Sequence, residues 1–240
     1  VGSEMCIRDS DKIVRYIDEI KRINIDTLPP SINKSTKEFS VVKNEGHDGI
    51  IFGLGAIKGV GGAAIENIIA ERDAKGEFKS MDDFVSRIDP FKVNKKVFES
   101  LIKAGCFDEF GFSRKMLLQT VENIVEACKN AAQIRKNAAE SLFGEDDSMN
   151  DVKINFVTID DEFDIKQILK FEQESVGIYL SGHPLDDYKD EINKIKYTLS
   201  SQFETLPQSA EILVVGKIED FSTRITKSGK KMGTINVLSL

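Results

Sequence analysis

The run Leu54-Gly-Ala-Ile-Lys-Gly-Val-Gly-Gly-Ala-Ala-Ile-Glu-Asn-Ile-Ile69 constrains this chain more than any other stretch. Two short apolar segments flank a Gly-x-Gly turn, so the backbone reverses and then enters a helix. Glycine reaches conformations closed to other residues and lets a partner come close. A helix that starts just after such a turn has free N–H groups and a partial positive charge at that end. Together these make a cradle for an anion, phosphate above all. Ile65, Ile68 and Ile69 give the helix a face to bury.

This is the chemistry of a helix-hairpin-helix, a module that holds nucleic-acid backbones without reading their bases. With 240 residues, the chain has room for one large or two smaller domains. A content of 40% hydrophobic and 30% charged residues indicates a folded globular protein, not a disordered one. No apolar run is long enough to span a membrane, and no secretory leader opens the sequence. Cys6, Cys106 and Cys128 match no metal spacing, so they read as free thiols of a reducing, cytoplasmic compartment. The net charge of −7 argues against a surface coated in basic groups. Residues 53–110 are nearly balanced, residues 145–220 are strongly acidic, and Arg224, Lys227, Lys230 and Lys231 make the end basic. Any DNA contact is therefore local, because phosphate repels the acidic stretches.

Val1–Ser10 join awkwardly to the rest of the chain and read as a foreign leader. Asp11–Asn24 reads as a helix through Ile13, Tyr16, Ile17 and Ile20, and Leu28-Pro29-Pro30 ends any helix. Residues 39–43 and 50–52 read as two strands about a turn. Ser80-Met-Asp-Asp83 reads as a capping box, Asn94 as the cap of a helix over Lys95–Lys103, and Ser113 as the cap of a long helix towards Asn137. Leu117, Val121, Ile124 and Cys128 line one side of that long helix. Residues 163–180 read as helical. From Glu211 the pattern turns to strands, at 212–216 and 232–237, with a hairpin turn at 227–230.

Six motifs occur in one order. They are Leu-Pro-Pro-Ser-Ile-Asn-Lys-Ser (28–35), Phe-Gly-Leu-Gly-Ala-Ile-Lys-Gly-Val-Gly (52–61), Asp-Phe-Val-Ser-Arg-Ile-Asp (83–89), Asn-Lys-Lys-Val-Phe-Glu-Ser-Leu-Ile-Lys-Ala-Gly-Cys-Phe-Asp (94–108), Ser-Leu-Phe-Gly (141–144) and Gly-Ile-Tyr-Leu-Ser-Gly-His-Pro-Leu (177–185). In these runs the chain resembles the bacterial DNA polymerase III alpha subunits, the C-family replicative polymerases. The resemblance covers nearly everything from Asp11 onward.

The resemblance implies a mostly α fold with a small β part, from the rear of a much larger protein. Residues 11–52 would end the polymerase fingers. Residues 53–145 would hold a tandem helix-hairpin-helix, a long helix and a clamp-binding motif. Residues 146–204 would be an acidic helical linker, and 205–240 the start of a truncated OB domain. The parent would be a DNA-directed DNA polymerase, a nucleotidyltransferase that uses Mg2+. Its catalytic palm lies upstream in the family, so this chain is expected to carry no catalytic residue, metal or cofactor of its own. The partners implied are double-stranded DNA, the beta sliding clamp, single-stranded DNA through the OB part and other replicase subunits, with no membrane.

In the first hairpin Lys58, Gly59, Val60, Gly61, Gly62 and Ala63 would meet phosphate, the amides of 61–63 donating and Lys58 adding charge. Lys103 and Gly105 form a degenerate second hairpin that either touches DNA or only completes the pair. Ser141, Leu142 and Phe143 would dock the clamp, a Leu-Phe plug filling an apolar pocket. Ala139 stands where such motifs carry a Gln, which removes a hydrogen-bonding side chain. His47 and His183 read as structural. The pairs Asp82-Asp83, Asp160-Asp161 and Asp186-Asp187 read as helix starts and solvated loops, since neighbours in sequence point apart. Two other readings remain: a stand-alone helix-hairpin-helix nucleic-acid-binding adaptor, and a helical scaffold that binds no nucleic acid.

Overall fold

Pro29 and Pro30 hold the chain before them extended, and Asp26–Leu28 forms a strand, β1. Ser40–Asn44 (β2) and His47–Ile51 (β3) make the expected hairpin, with Val41 opposite Ile50. β1 adds to the other edge of β3 in parallel, Thr27 opposite Ile50, for a sheet order β1-β3-β2. The computed structural model describes residues 20, 25–44, 47–140, 152–198, 200–207, 209–226 and 228–239. The leader and nearly all of the helix expected over 11–24 lie outside these, as does Lys227.

After β3 come a 3-10 turn at Leu54–Ala56 and then helices Gly62–Lys75 (α1), Met81–Arg87 (α2), Lys95–Lys103 (α3), Arg114–Glu140 (α4) and Ile165–Ser175 (α5). Each cap expected from sequence is made. Ser80 Oγ accepts from Asp83 N, Asn94 Oδ1 from Val97 N and Ser113 Oγ from Met116 N. Such a cap contributes about 1 kcal/mol. The described chain is thus mostly α with small sheets.

The core gathers Leu54, Ile57 and Val60 from the turn, Ile65 and Ile68 from α1, and Phe98 and Leu101 from α3. Leu117, Val121, Ile124 and Cys128 of α4 all face it. Phe84 is its hub, meeting Phe78, Phe98 and Phe107 edge-on at centroid distances of 4.9, 6.0 and 5.1 Å. Such ring pairs add about 0.5–1.5 kcal/mol beyond the burial itself.

The chain divides into two compact units at Ser181/Gly182, inside the segment read as a linker. Residues 152–181 are part of the first unit. Ile154, Val176 and Ile178 are buried in its core, and Phe112 stacks on Phe156 at 4.6 Å. Its acids have specific roles: Glu162 accepts from the first amides of α4, Arg114 N at 2.6 Å and Lys115 N at 3.0 Å, and Asp164 caps α5.

The second unit holds a short helix, Lys189–Ile192 (α6), and one hairpin, Gly216–Ile225 (β4) with Lys231–Ser239 (β5). Residues 212–215 form no strand, against the expectation from their composition. Ile212, Leu213 and Val214 are exposed, and β-branched runs become strands only beside a partner edge. Among the described residues this sheet has two strands.

Candidate nucleic-acid interface

The turn between Leu54 and α1 is fixed from several sides. Leu54 N donates to Thr36 O at 2.9 Å and Gly55 N to Lys37 O at 2.9 Å. Lys58 N donates to Ser175 O at 2.7 Å, and Val60 N to Ile57 O at 3.2 Å. Gly59 sits at φ +89°, a left-handed conformation costly for residues with a Cβ. Gly61 then starts α1 as an N-cap with extended backbone, φ −80° and ψ 158°. Because this cap has no side chain, no serine or aspartate oxygen takes the first amides of the helix.

Ala64 N and Ile65 N bond Gly61 O, at 3.0 and 3.2 Å. The amides of Gly61, Gly62 and Ala63 bond no described group, and all three residues are exposed. Nothing lies within 4 Å of where a Cβ would stand on Gly61 or Gly62. A Cβ at 61 therefore meets open space, and a φ of −80° is open to any residue, so the turn's backbone does not require glycine there. Lys58 and Gly59 are exposed, whereas the Val60 side chain is buried in the core and offers the site only backbone.

Lys103 and Gly105 lie elsewhere. Gly105, at φ +83°, is buried, and its N–H donates to Ile102 O at 3.0 Å, so no free amide faces outward. The Arg114 guanidinium fills the space a side chain would need there. The Lys103 ammonium sits 5.3 Å from the centroid of the Phe171 ring. Gly105 therefore offers no open amide like those of the first hairpin, and the Lys103 ammonium stands over an aromatic ring.

What fills the space around Gly105 is a buried ionic lock. Arg114 Nη2 meets Asp108 Oδ2 at 2.7 Å, and its Nη1 meets Glu172 Oε1 at 3.3 Å and Lys103 O at 3.2 Å. Burial works against the Arg114 charge, but hydrogen bonds and attraction from Asp108 and Glu172 outweigh it and raise its pKa. Glu172 Oε2 accepts Leu180 N at 2.7 Å and Ser181 N at 2.9 Å, while Oε1 also accepts the Ser181 hydroxyl. Sequence reasoning missed this pair, although two signals were present. Arg114 places a cation at a helix N-terminus, where the dipole disfavours it. Glu172 lies in line with Leu169 and Val176 on the buried side of α5.

Ser141, Leu142 and Phe143 lie outside the described residues, and nothing is described of the Ala139 side chain. The carboxylate pairs stand apart in function. Asp82 Oδ1 accepts from Ile154 N at 2.8 Å, and Asp83 Oδ2 from Lys79 N at 2.9 Å. A hydrogen bond from Lys115 holds Asp161 below the usual carboxylate range, and the His183 amide and Lys189 do the same for Asp186. Among the described residues no three His, Cys, Asp or Glu side chains stand together so as to hold a metal. No helix among them is long and apolar enough to cross a membrane.

The glycine-capped start of α1, with its open amides, falls within residues 24–117, which a family model described as a helix-hairpin-helix motif matches. The chain is 51% identical over 228 residues to the DNA polymerase III subunit alpha of Campylobacter jejuni, covering 95% of the chain and 19% of that protein. It is 40% identical over 239 residues to the same subunit of Helicobacter pylori, covering 95% of the chain and 20% of that protein. Against that of Deinococcus radiodurans it is 33% identical over 235 residues, 94% of the chain and 17% of that protein. The chain belongs to the DNA polymerase III alpha subunit family, and it spans about a fifth of the length of these curated relatives.

Proposed function

We propose that this chain supplies the duplex-holding part of a replicative DNA polymerase alpha subunit and grips DNA through one sugar-phosphate backbone. The observation that carries this reading is the set of unbonded, exposed amides at Gly61, Gly62 and Ala63 at the start of α1. Three donors on a helix N-terminus, beside the exposed Lys58, match an anionic oxygen cluster in charge and geometry. Contacts of this kind fix register on the duplex and carry no base information.

The whole protein would be a DNA-directed DNA polymerase. Its nucleotidyl transfer and its Mg2+ would rest on residues outside those described here. Ser141, Leu142 and Phe143 would dock the sliding clamp. The β4–β5 hairpin, with Arg224, Lys230 and Lys231, would follow a single strand as part of an OB domain. The compartment in this reading is the cytoplasm.

The test is duplex affinity of Gly61→Val against the parent chain, read by fluorescence anisotropy. The valine meets open space at its Cβ, so folding is expected to be unchanged by circular dichroism. The branched side chain stands in front of the amides, and affinity is expected to fall at least tenfold. Unchanged affinity in a folded variant refutes the hairpin as the DNA contact. The adaptor reading is not favoured, because the relatives share this segment within much longer polymerase subunits.

A further inference from the structure

Gly59 takes its left-handed φ of +89° against α3. A Cβ there would lie 2.8 Å from the Ser100 hydroxyl oxygen and 4.0 Å from Lys96 Cε. The hairpin turn therefore rests on one face of α3. Lys96 and Ser100 share that face, one helical turn apart.

The two lysines in the first turn of α3 are in different situations. Lys95 is bonded to Glu122, with Glu99 Oε1 at 3.9 Å, and these carboxylates raise its pKa. Lys96 is exposed and forms no ion pair with a described residue. Lys58 is likewise exposed and without an acidic partner among the described residues. Lys96 adjoins Gly59 through space, while Lys58 adjoins it along the chain and its ammonium lies 3.9 Å from where a Cβ would stand on Gly177. The last turn of α3, where the sequence suggested a second contact, is closed by Arg114; its first turn is open.

We propose that Lys96 is a second cationic contact of this hairpin. It reaches a phosphate next to the one held by the amides of Gly61–Ala63. The ligand is then a polymer with neighbouring backbone phosphates rather than a single phosphate group. This assignment rests on the duplex-holding reading above and adds a residue to it.

The experiment measures affinity of the full chain for a mixed-sequence duplex oligonucleotide across a range of salt concentrations. Each phosphate neutralised adds about 0.9 to the slope of log affinity against log salt. Lys96→Gln is expected to weaken binding and flatten the slope by about that amount. Lys96→Arg is expected to restore the slope, and Lys95→Gln, whose charge is already matched, to leave it as in the parent. Circular dichroism checks that each variant is folded. A Lys96→Gln slope equal to the parent's, with Gly61→Val still weakened, overturns the Lys96 contact and leaves the hairpin reading standing. Equal flattening by Lys95→Gln and Lys96→Gln also overturns it, as a general effect of net charge. Gly61→Val without effect overturns the hairpin reading itself.

Discussion

Replacing Glu172 by glutamine tests the lock beneath the second turn. Glu172 is fully buried, so solvent does not screen it. Its two oxygens accept from four donors: the amides of Leu180 and Ser181, the Ser181 hydroxyl and the Arg114 guanidinium. A glutamine amide nitrogen has to replace one of these oxygens. At the Oε2 position it faces two backbone N–H groups, and at Oε1 it faces Arg114. The Ser181 hydroxyl can rotate to accept, so the second placement is the less costly. Even so, it removes one charge-assisted bond, of about 1.5–3 kcal/mol, and sets a donor against a guanidinium. Asp108 remains as the only acidic partner of Arg114 among the described residues.

Breaking one side of a buried ion pair costs about 3–5 kcal/mol, and retained hydrogen bonds place this case near the lower end. With a urea slope of about 2 kcal/mol per M, the midpoint should fall by about 1.5 M. Urea titration followed by far-ultraviolet circular dichroism reads the helices that carry the lock. The double replacement Arg114→Met with Glu172→Gln, which keeps an acceptor for the Leu180 and Ser181 amides, should cost less than the sum of the two single changes, because the coupling of the pair is lost only once. A midpoint shift under about 0.5 M, or single changes that add strictly in the double variant, refutes the ionic account and leaves packing alone as the role of these residues.

Burial, with Arg135 opposing and Asp89 assisting, pushes the Cys128 thiol up to about 11. A thiol whose folded value is raised stabilises the fold fully below its ordinary value near 9.0 and loses that contribution as pH climbs towards 11. The urea midpoint is expected to drop between these values in the parent and less steeply in Cys128→Ala; identical profiles would show the thiol does not matter. For the clamp-docking proposal, Phe143→Ala is expected to abolish retention on immobilised sliding clamp while duplex affinity stays the same, and undiminished retention would remove Phe143 from that role.

Features set by neighbours in sequence were legible; those set across the chain were not. Ser80, Asn94 and Ser113 cap the helices their spacing announced, and the Leu117–Cys128 stripe faces the core. The exposed glycine start of α1 was legible as well, since an N-cap without a side chain is a local property. Gly105 resembled a hairpin glycine because a left-handed residue is equally what ends a helix such as α3. Only the burial of Arg114 against it, from another helix, separates the two cases. The 152–181 segment read as a linker because acids dominate its composition. Pattern alone could not show that Glu162 and Asp164 act at helix starts, or that Glu172 meets an arginine 58 residues away.

The hairpin is held by the bonds that most of its own donors make within the fold. Leu54, Gly55, Lys58 and Val60 each give their amide to a carbonyl, from residues as distant as Ser175. The Ser100 hydroxyl occupies the side of Gly59 that a larger residue would take. The turn is therefore held in one shape before any ligand arrives, with free amides only at 61–63 among the residues from Gly61 to Ile65. A ligand binding such a turn loses little to ordering the loop, so more of the phosphate contact energy appears as affinity. The α5 segment matters to this for a physical reason: Ser175, whose carbonyl takes the Lys58 amide, lies one turn beyond Glu172 in the helix that Arg114 locks in place.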